Sequence, residues 1–323
     1  SMVMRTLWEA PPALVLELAD LHEPQFSPEG RRVVFTGHTM FAEVWSDAGE
    51  GPIVLRDLDP PMPGKNRHGW ISESLLVTGV QGAERVRVWS IPEGQLVRTI
   101  EFGARTWWSV KGGRLFTEAF PDYPVMLNFF LRSRRLPHGE AETLGRVDWK
   151  ALGASSFQTD FDPGGQFWYY PKGSTIYARP LPVREGSHDR VVGTHDADDV
   201  RLVPDASTGD RLVSIDGEGE IRVWSLTALG TGPMRVIPRP EGAPAPYRLV
   251  LDPTGRCVYH GPAHQVGKGL LWDLAALPGA QPLELRRSGA WEFSGFDFHP
   301  AGDWLVAGTK GGDQATFWPL RRA

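Results

Sequence analysis

"EIRVWSLTALGTGPMRVIP", residues 220–238, decides the fold once it is asked whether it recurs. Apolar Ile221, Val223 and Leu226 stand against polar neighbours, Trp224 sits near the end of the run, and after Gly230 and Gly232 a new strand starts. Alternation over this length reads as a half-buried strand, a turn and a second strand.

The pattern returns as "AEVWSD" (Trp45), "VRVWSI" (Trp89), "LLWDL" (Trp272) and "TFWPL" (Trp318). Trp45 to Trp89 is 44 residues, Trp224 to Trp272 is 48, and Trp272 to Trp318 is 46. The interval from Trp89 to Trp224 is 135 residues, three units of 45, in which "NFFLRS" near Leu131 and "TIYARPL" near Ala178 replace the tryptophan strand. A second marker runs in step: "FSPEGRR" (26–32), "FDPGGQF" (161–167), "LDPTGRC" (251–257) and "FHPAGDW" (298–304), with looser versions at 110–116 and 203–213. Proline presets the first turn angle and glycine accepts the left-handed conformation of a tight reversal, so each copy joins two strands.

Four short strands every 45 or so residues predict an all-β, seven-bladed β-propeller with four-stranded antiparallel blades. The expected blades are roughly 20–63, 64–103, 104–150, 151–194, 195–241, 242–289 and 290–323, making residues 1–323 a single propeller domain. The seventh unit ends after its tryptophan strand. "PALVLEL" (12–18) has the pattern of the missing outer strand and is predicted to pair there, which removes an open edge. "TLWEA" (6–10) looks like the tail of another tryptophan strand, and Ser1 precedes Met2; both suggest sequence beyond this segment.

The units resemble WD repeats across essentially the whole chain. In that family a loop His, a strand Ser or Thr, a turn Asp and the tryptophan form a buried hydrogen-bonded tetrad. The resemblance places it in the fifth unit as His195, Ser214, Glu218 in place of Asp, and Trp224, with Trp45, Trp89, Trp272 and Trp318 as the structural tryptophans elsewhere. "LLWDLAALPGAQPLELRRSG" with "FDFHPAGDWLVAGT" is also similar to propellers of large bacterial modular proteins, including serine/threonine kinases that carry WD repeats. That implies a module of a signalling protein.

The composition narrows the partners. The net charge is −5, with 34 basic and 39 acidic residues and no block of like charge, so nucleic acid is not an expected partner. Cys257 is the single cysteine, which excludes an internal disulfide and a cysteine zinc site. No apolar run reaches membrane-spanning length and no signal-peptide layout is present, which points to a cytoplasmic segment without membrane contact.

No phosphate-binding loop, nucleophile elbow or zinc-protease motif occurs, so no catalytic residue, metal site or cofactor is assigned. Asp216, Glu218 and Glu220 read as a polar hairpin, and "HGPAH" (260–264) cannot form a helical histidine pair. His195, Asp196, Asp198 and Asp199 read as solvated loop charges, and His195, Asp199 and Arg201 are the set an enzymatic alternative needs to converge. Binding is expected instead at "GARTWWSVKGG" (103–113) and "FPDYPVMLNFFLRSRR" (120–135). Arg105, Trp107, Trp108, Asp122 and Tyr123 are the candidates, because Trp, Tyr and Arg dominate interaction hot spots. The expectation is a non-catalytic platform for a protein or peptide, with a ligand-sensing propeller as the alternative.

Overall fold

A strand of four residues from the N-terminus completes the last sheet of the chain. In the computed structural model, β1 (Leu14–Glu17) pairs antiparallel with β28 (Gln314–Pro319), Leu14 opposite Phe317 and Glu17 opposite Gln314. The structure describes residues 14–18, 21–37, 41–47, 51–56, 66–80, 82–121, 128–148, 159–241, 248–261, 268–277, 279–286, 293–309 and 314–320.

Between these strands the chain forms one sheet after another. Blade 1 holds β2 (Leu21–Phe26), β3 (Arg32–Gly37), β4 (Ala42–Ser46) and β5 (Ile53–Leu55); blade 2 holds β6 (Asn66–Ser72), β7 (Leu75–Val80), β8 (Arg85–Ser90) and β9 (Gln95–Glu101). Blade 3 holds β10 (Arg105–Lys111), β11 (Arg114–Phe120), β12 (Asn128–Arg135) and β13 (Ala141–Asp148). Blade 4 holds β14 (Asp160–Phe161), β15 (Phe167–Lys172), β16 (Thr175–Pro180) and β17 (Arg190–Thr194). Blade 5 holds β18 (Arg201–Pro204), β19 (Arg211–Ile215), β20 (Ile221–Ser225) and β21 (Pro233–Ile237). Blade 6 holds β22 (Arg248–Leu251), β23 (Cys257–Gly261), β24 (Lys268–Asp273) and β25 (Leu283–Arg286), and β26 (Phe293–Phe298), β27 (Trp304–Thr309), β28 and β1 make blade 7. Within blades 1 to 6 each strand pairs with the next in sequence, and no helix occurs among the described residues. The fold is a seven-bladed β-propeller.

The turn markers behave as their chemistry requires. Gly30 N donates to Ser27 O (2.9 Å) and Gly255 N to Asp252 O (2.8 Å), with proline at the second position of each four-residue turn. Both glycines have positive φ, +76° and +69°, a conformation that costs a residue with a Cβ. The Asp252 carboxylate then accepts the N–H groups of Arg256 (2.6 Å) and Cys257 (2.8 Å), so the turn also anchors the next strand.

By backbone proximity the chain divides into two compact units, residues 1–142 with 289–323, and residues 143–288. In the first, Trp89 is buried with Val34, Val44, Leu55 and Leu76, joining blades 1 and 2, and Trp108 is buried with Val77, Val88, Ile100 and Leu115, joining blades 2 and 3. Leu18, Leu21, Val306 and Phe317 form a third cluster against which Leu16 of β1 packs. In the second, Trp224 is buried with Tyr169, Ile176, Val192 and Leu212, joining blades 4 and 5. Trp272 is buried with Val213, Ile221 and Val258, joining blades 5 and 6. Each indole fills the seam to the preceding blade; apolar burial at roughly 25 cal/mol per Å², over the 150–250 Å² a tryptophan offers, makes it worth about 4–6 kcal/mol as an upper bound.

Candidate functional site

Register fixes which side chains meet across the two middle strands of a blade. In blade 5, Leu212 lies opposite Trp224 and Ser214 opposite Arg222, so Ser214 and Trp224 share a face two residue pairs apart. Trp224 Nε1 donates to Ser214 Oγ (2.7 Å). The hydroxyl in turn donates to His195 Nε2 (2.7 Å), whose other nitrogen donates to Asp216 Oδ2 (3.2 Å). The carboxylate is therefore Asp216 and not Glu218. Asp216 follows β19 directly and closes the turn, its Oδ1 accepting Glu220 N (3.0 Å), which aims its second oxygen inward.

Serine, histidine and aspartate here have the connectivity of a hydrolytic triad, but the geometry forbids the chemistry. Ser214, His195 and Asp216 are 0%, 2% and 2% exposed, and the Ser214 oxygen is occupied by the indole N–H. A nucleophile must reach a substrate carbonyl, and this one is sealed beneath Trp224. Burial holds the His195 ring below its usual pKa, against the pull of Asp216.

His195, Asp216 and Glu220 bring ligand atoms within 4.8 Å of one another, a spacing a cation can use. Both imidazole nitrogens are already engaged, and Arg222 supplies positive charge, donating to Glu220 Oε1 and Asp196 Oδ2, each at 2.5 Å. Asp199 pairs with Arg201 at 3.1 Å in an exposed contact, while His195 turns into the tetrad, so the three do not converge as an enzymatic site needs. His264 of "HGPAH" lies outside the described residues.

The same register exposes what happened in the other blades. In blade 2, Trp89 Nε1 donates to Thr78 Oγ1 (2.8 Å), a reduced form of the blade 5 contact. In blade 1 the serine position is Phe35, and half-buried Trp45 donates to Glu43 (3.1 Å) instead. In blade 6 His260 takes the serine position beside Trp272; His260 is 1% exposed, and among the described residues neither its ring nitrogens nor Trp272 Nε1 has a hydrogen-bond partner. Blade 7 has Ala307 in the serine position, and Trp318 is buried.

Blades 3 and 4 replace the tryptophan by arginine, which sequence inspection missed. Arg134 lies opposite Leu115 and Arg179 opposite Trp168, where Trp89 lies opposite Leu76. Arg179 is paired bidentately: its Nε and Nη2 donate to the two oxygens of Asp189 at 2.6 Å, and Tyr170 Oη donates to the same carboxylate at 2.6 Å. Although burial disfavours its charge, those contacts hold Asp189 below the usual carboxylate range. The signal was an arginine in the fifth place of "TIYARP", where other blades carry tryptophan.

On β10, Trp108 is 4% exposed and belongs to the seam with blade 2, whereas Arg105 and Trp107 are half-buried and share the opposite face. The Trp107 ring meets Phe120 edge-on, centroids 4.6 Å apart. Asp122 and Tyr123 lie outside the described residues.

No protein-family profile and no curated protein sequence matches the chain. Solved structures do. A chain of the mitotic checkpoint complex superposes with a TM-score of 0.69 at 13% identity, covering 97% of this chain and 95% of that one. The β-propeller domain of Cps50 (Swd1) from Myceliophteria thermophila gives 0.70 at 12% identity, covering 96% and 99%. Raptor from Chaetomium thermophilum gives 0.71 at 13% identity over 96% of this chain but 29% of its own length. At these identities the likeness is one of fold.

Proposed function

We propose that this WD40-type β-propeller is a non-catalytic platform for a protein or peptide, carried in a larger bacterial signalling protein. The observation that carries the reading is the β10 face. Trp107 is braced by Phe120 yet only half-buried, and Arg105 stands two residues away on the same face. A rigid aromatic beside a guanidinium buries a large area at low entropic cost, which is the residue chemistry of interface hot spots.

Two further points support it. The catalytic-looking set His195, Ser214 and Asp216 is sealed and serves as a bolt between β19, β20 and the preceding loop. One similar structure is part of a complex, the mitotic checkpoint complex. The bacterial signalling setting rests on the likeness of residues 270–320 to propellers of bacterial modular proteins.

The test begins with capture of a partner from lysate of the source organism on immobilised chain. Its affinity is then measured by calorimetry for wild type and for an Arg105→Ala, Trp107→Ala variant with an unchanged circular dichroism spectrum. Loss of two hot-spot residues is expected to weaken binding by at least about tenfold. Equal affinities would remove β10 from the site, and a wild-type chain that retains no partner would remove the platform reading.

A further inference from the structure

Blade 3 has a cation where blade 4 has a completed ion pair. The two substitutions are the same, arginine in the tryptophan position, but Arg179 meets Asp189 bidentately while Arg134 has no hydrogen bond or ion pair among the described residues. Around Arg134 lies a cleft of about 30 Å³, floored by Leu115, Thr117 and Ala119 of β11, walled by Arg132 and Arg134 of β12, and rimmed by Glu101 of β9.

The cleft exists because the indole is gone. In blade 2 the tryptophan fills this volume and donates to Thr78; in blade 3 the matching hydroxyl, Thr117, makes no side-chain hydrogen bond among the described residues. Arg134 stands in the place of the indole, and two further arginines near it are held. Arg132 stacks over Phe130 with 5.7 Å to the ring centroid, and Arg98, on the facing strand β9, donates to Pro137 O at 3.2 Å. Burial and the neighbouring charges of Arg98 and Arg132 lower the Arg134 pKa, with Glu140 acting the other way, so the cations are crowded and incompletely neutralised.

We infer that this cleft binds a phosphate group, with Arg132 and Arg134 as the cationic donors and Thr117 as a hydroxyl donor. Blade 4 supplies the internal precedent, an oxyanion held by the arginine in the tryptophan position. Blade 3 lines its cleft with two guanidinium groups where blade 4 uses one, which suits a dianionic phosphate better than a single carboxylate. The cleft lies away from the β10 face proposed above, and the two assignments stand or fall separately.

The experiment is a calorimetric titration with inorganic phosphate against a chloride control of matched ionic strength, repeated with O-phosphoserine. Wild type is expected to bind phosphate saturably, and its melting temperature to rise in phosphate relative to chloride. Arg132→Gln with Arg134→Gln is expected to weaken phosphate at least about tenfold, because charge-assisted hydrogen bonds to the anion are lost. Thr117→Val, which keeps the shape and removes the hydroxyl, guards against a variant that folds poorly and is expected to weaken binding in the same direction. Tighter binding of O-phosphoserine than of phosphate assigns the site to a phosphate ester, and the reverse assigns it to the free anion. Absence of saturable binding by either probe, or the same affinity in wild type and both variants, overturns the proposal.

Discussion

At the scale of single residues, the chain is a record of how one buried position is refilled. The hydroxyl of Ser214 lets Trp224 and His195 both be satisfied; Thr78 does half of this for Trp89, and His260 does none of it for Trp272. His260 has a consequence for pH. Burial lowers its pKa from 6.5 to about 4, so the folded chain keeps the ring neutral while the unfolded chain protonates it. Its contribution is fully present above pH 6.5 and is lost as the pH falls from 6.5 towards 4, about 3 kcal/mol in all. His260→Ser gives Trp272 Nε1 a hydroxyl acceptor and removes that titration. Urea unfolding at pH 7 and pH 4.5 is expected to show wild type losing about 2–3 kcal/mol more than the variant across this interval; equal losses would show that the ring does not carry the effect.

At the scale of strands and blades, legibility in the sequence followed the chemistry of each marker. Pro-x-Gly turns and tryptophan strands are local signals, so blades 1, 2, 5, 6 and 7 could be read directly and the period supplied blades 3 and 4. The tetrad was readable in three of its four members. The resemblance places Glu218 at the acid position; the structure places Asp216 there, because the residue directly after β19 is buried and bonded to His195 while Glu218 at the turn's tip is exposed. Arg134 and Arg179 show in the sequence only as arginines where other repeats carry tryptophan, because an arginine near a strand end carries no mark of burial until pairing places it. Packing between blades can be tested at Gly193 of β17, where an added Cβ would sit 2.0 Å from Trp224 Cζ3. The indole is fixed by its bond to Ser214 and cannot recede. Gly193→Ala is expected to cost about 2–3 kcal/mol by denaturant unfolding, and Gly51→Ala, which meets nothing within 4 Å, less than about 0.5. Similar costs at both sites would refute tight packing of that seam.

For the molecule as a whole, seven copies of one supersecondary unit give a propeller fold, and the copies differ in how the position of the structural bolt is filled. A sealed tetrad in blade 5 is scaffold, the half-buried Arg105 and Trp107 of β10 share one face, and arginines line a cleft in blade 3. No helix among the described residues is long and apolar enough to cross a membrane. All of these readings depend on a repeat that ends in a complete blade, and the last blade is complete only because β1 reaches it. Four residue pairs join β1 to β28, and Leu16 and Leu18 pack with Val306 and Phe317. Without them β28 becomes a bare edge with Ala315 and Phe317 uncovered. The decisive measurement is therefore thermal unfolding of the chain lacking residues 1–19 beside the intact chain, with hydrogen exchange followed at the amides of β28. The account predicts a melting temperature lower by at least about 5 °C, as expected for losing a few kcal/mol in a chain of this size, together with loss of protection along β28. An unchanged melting temperature with β28 still protected would contradict it.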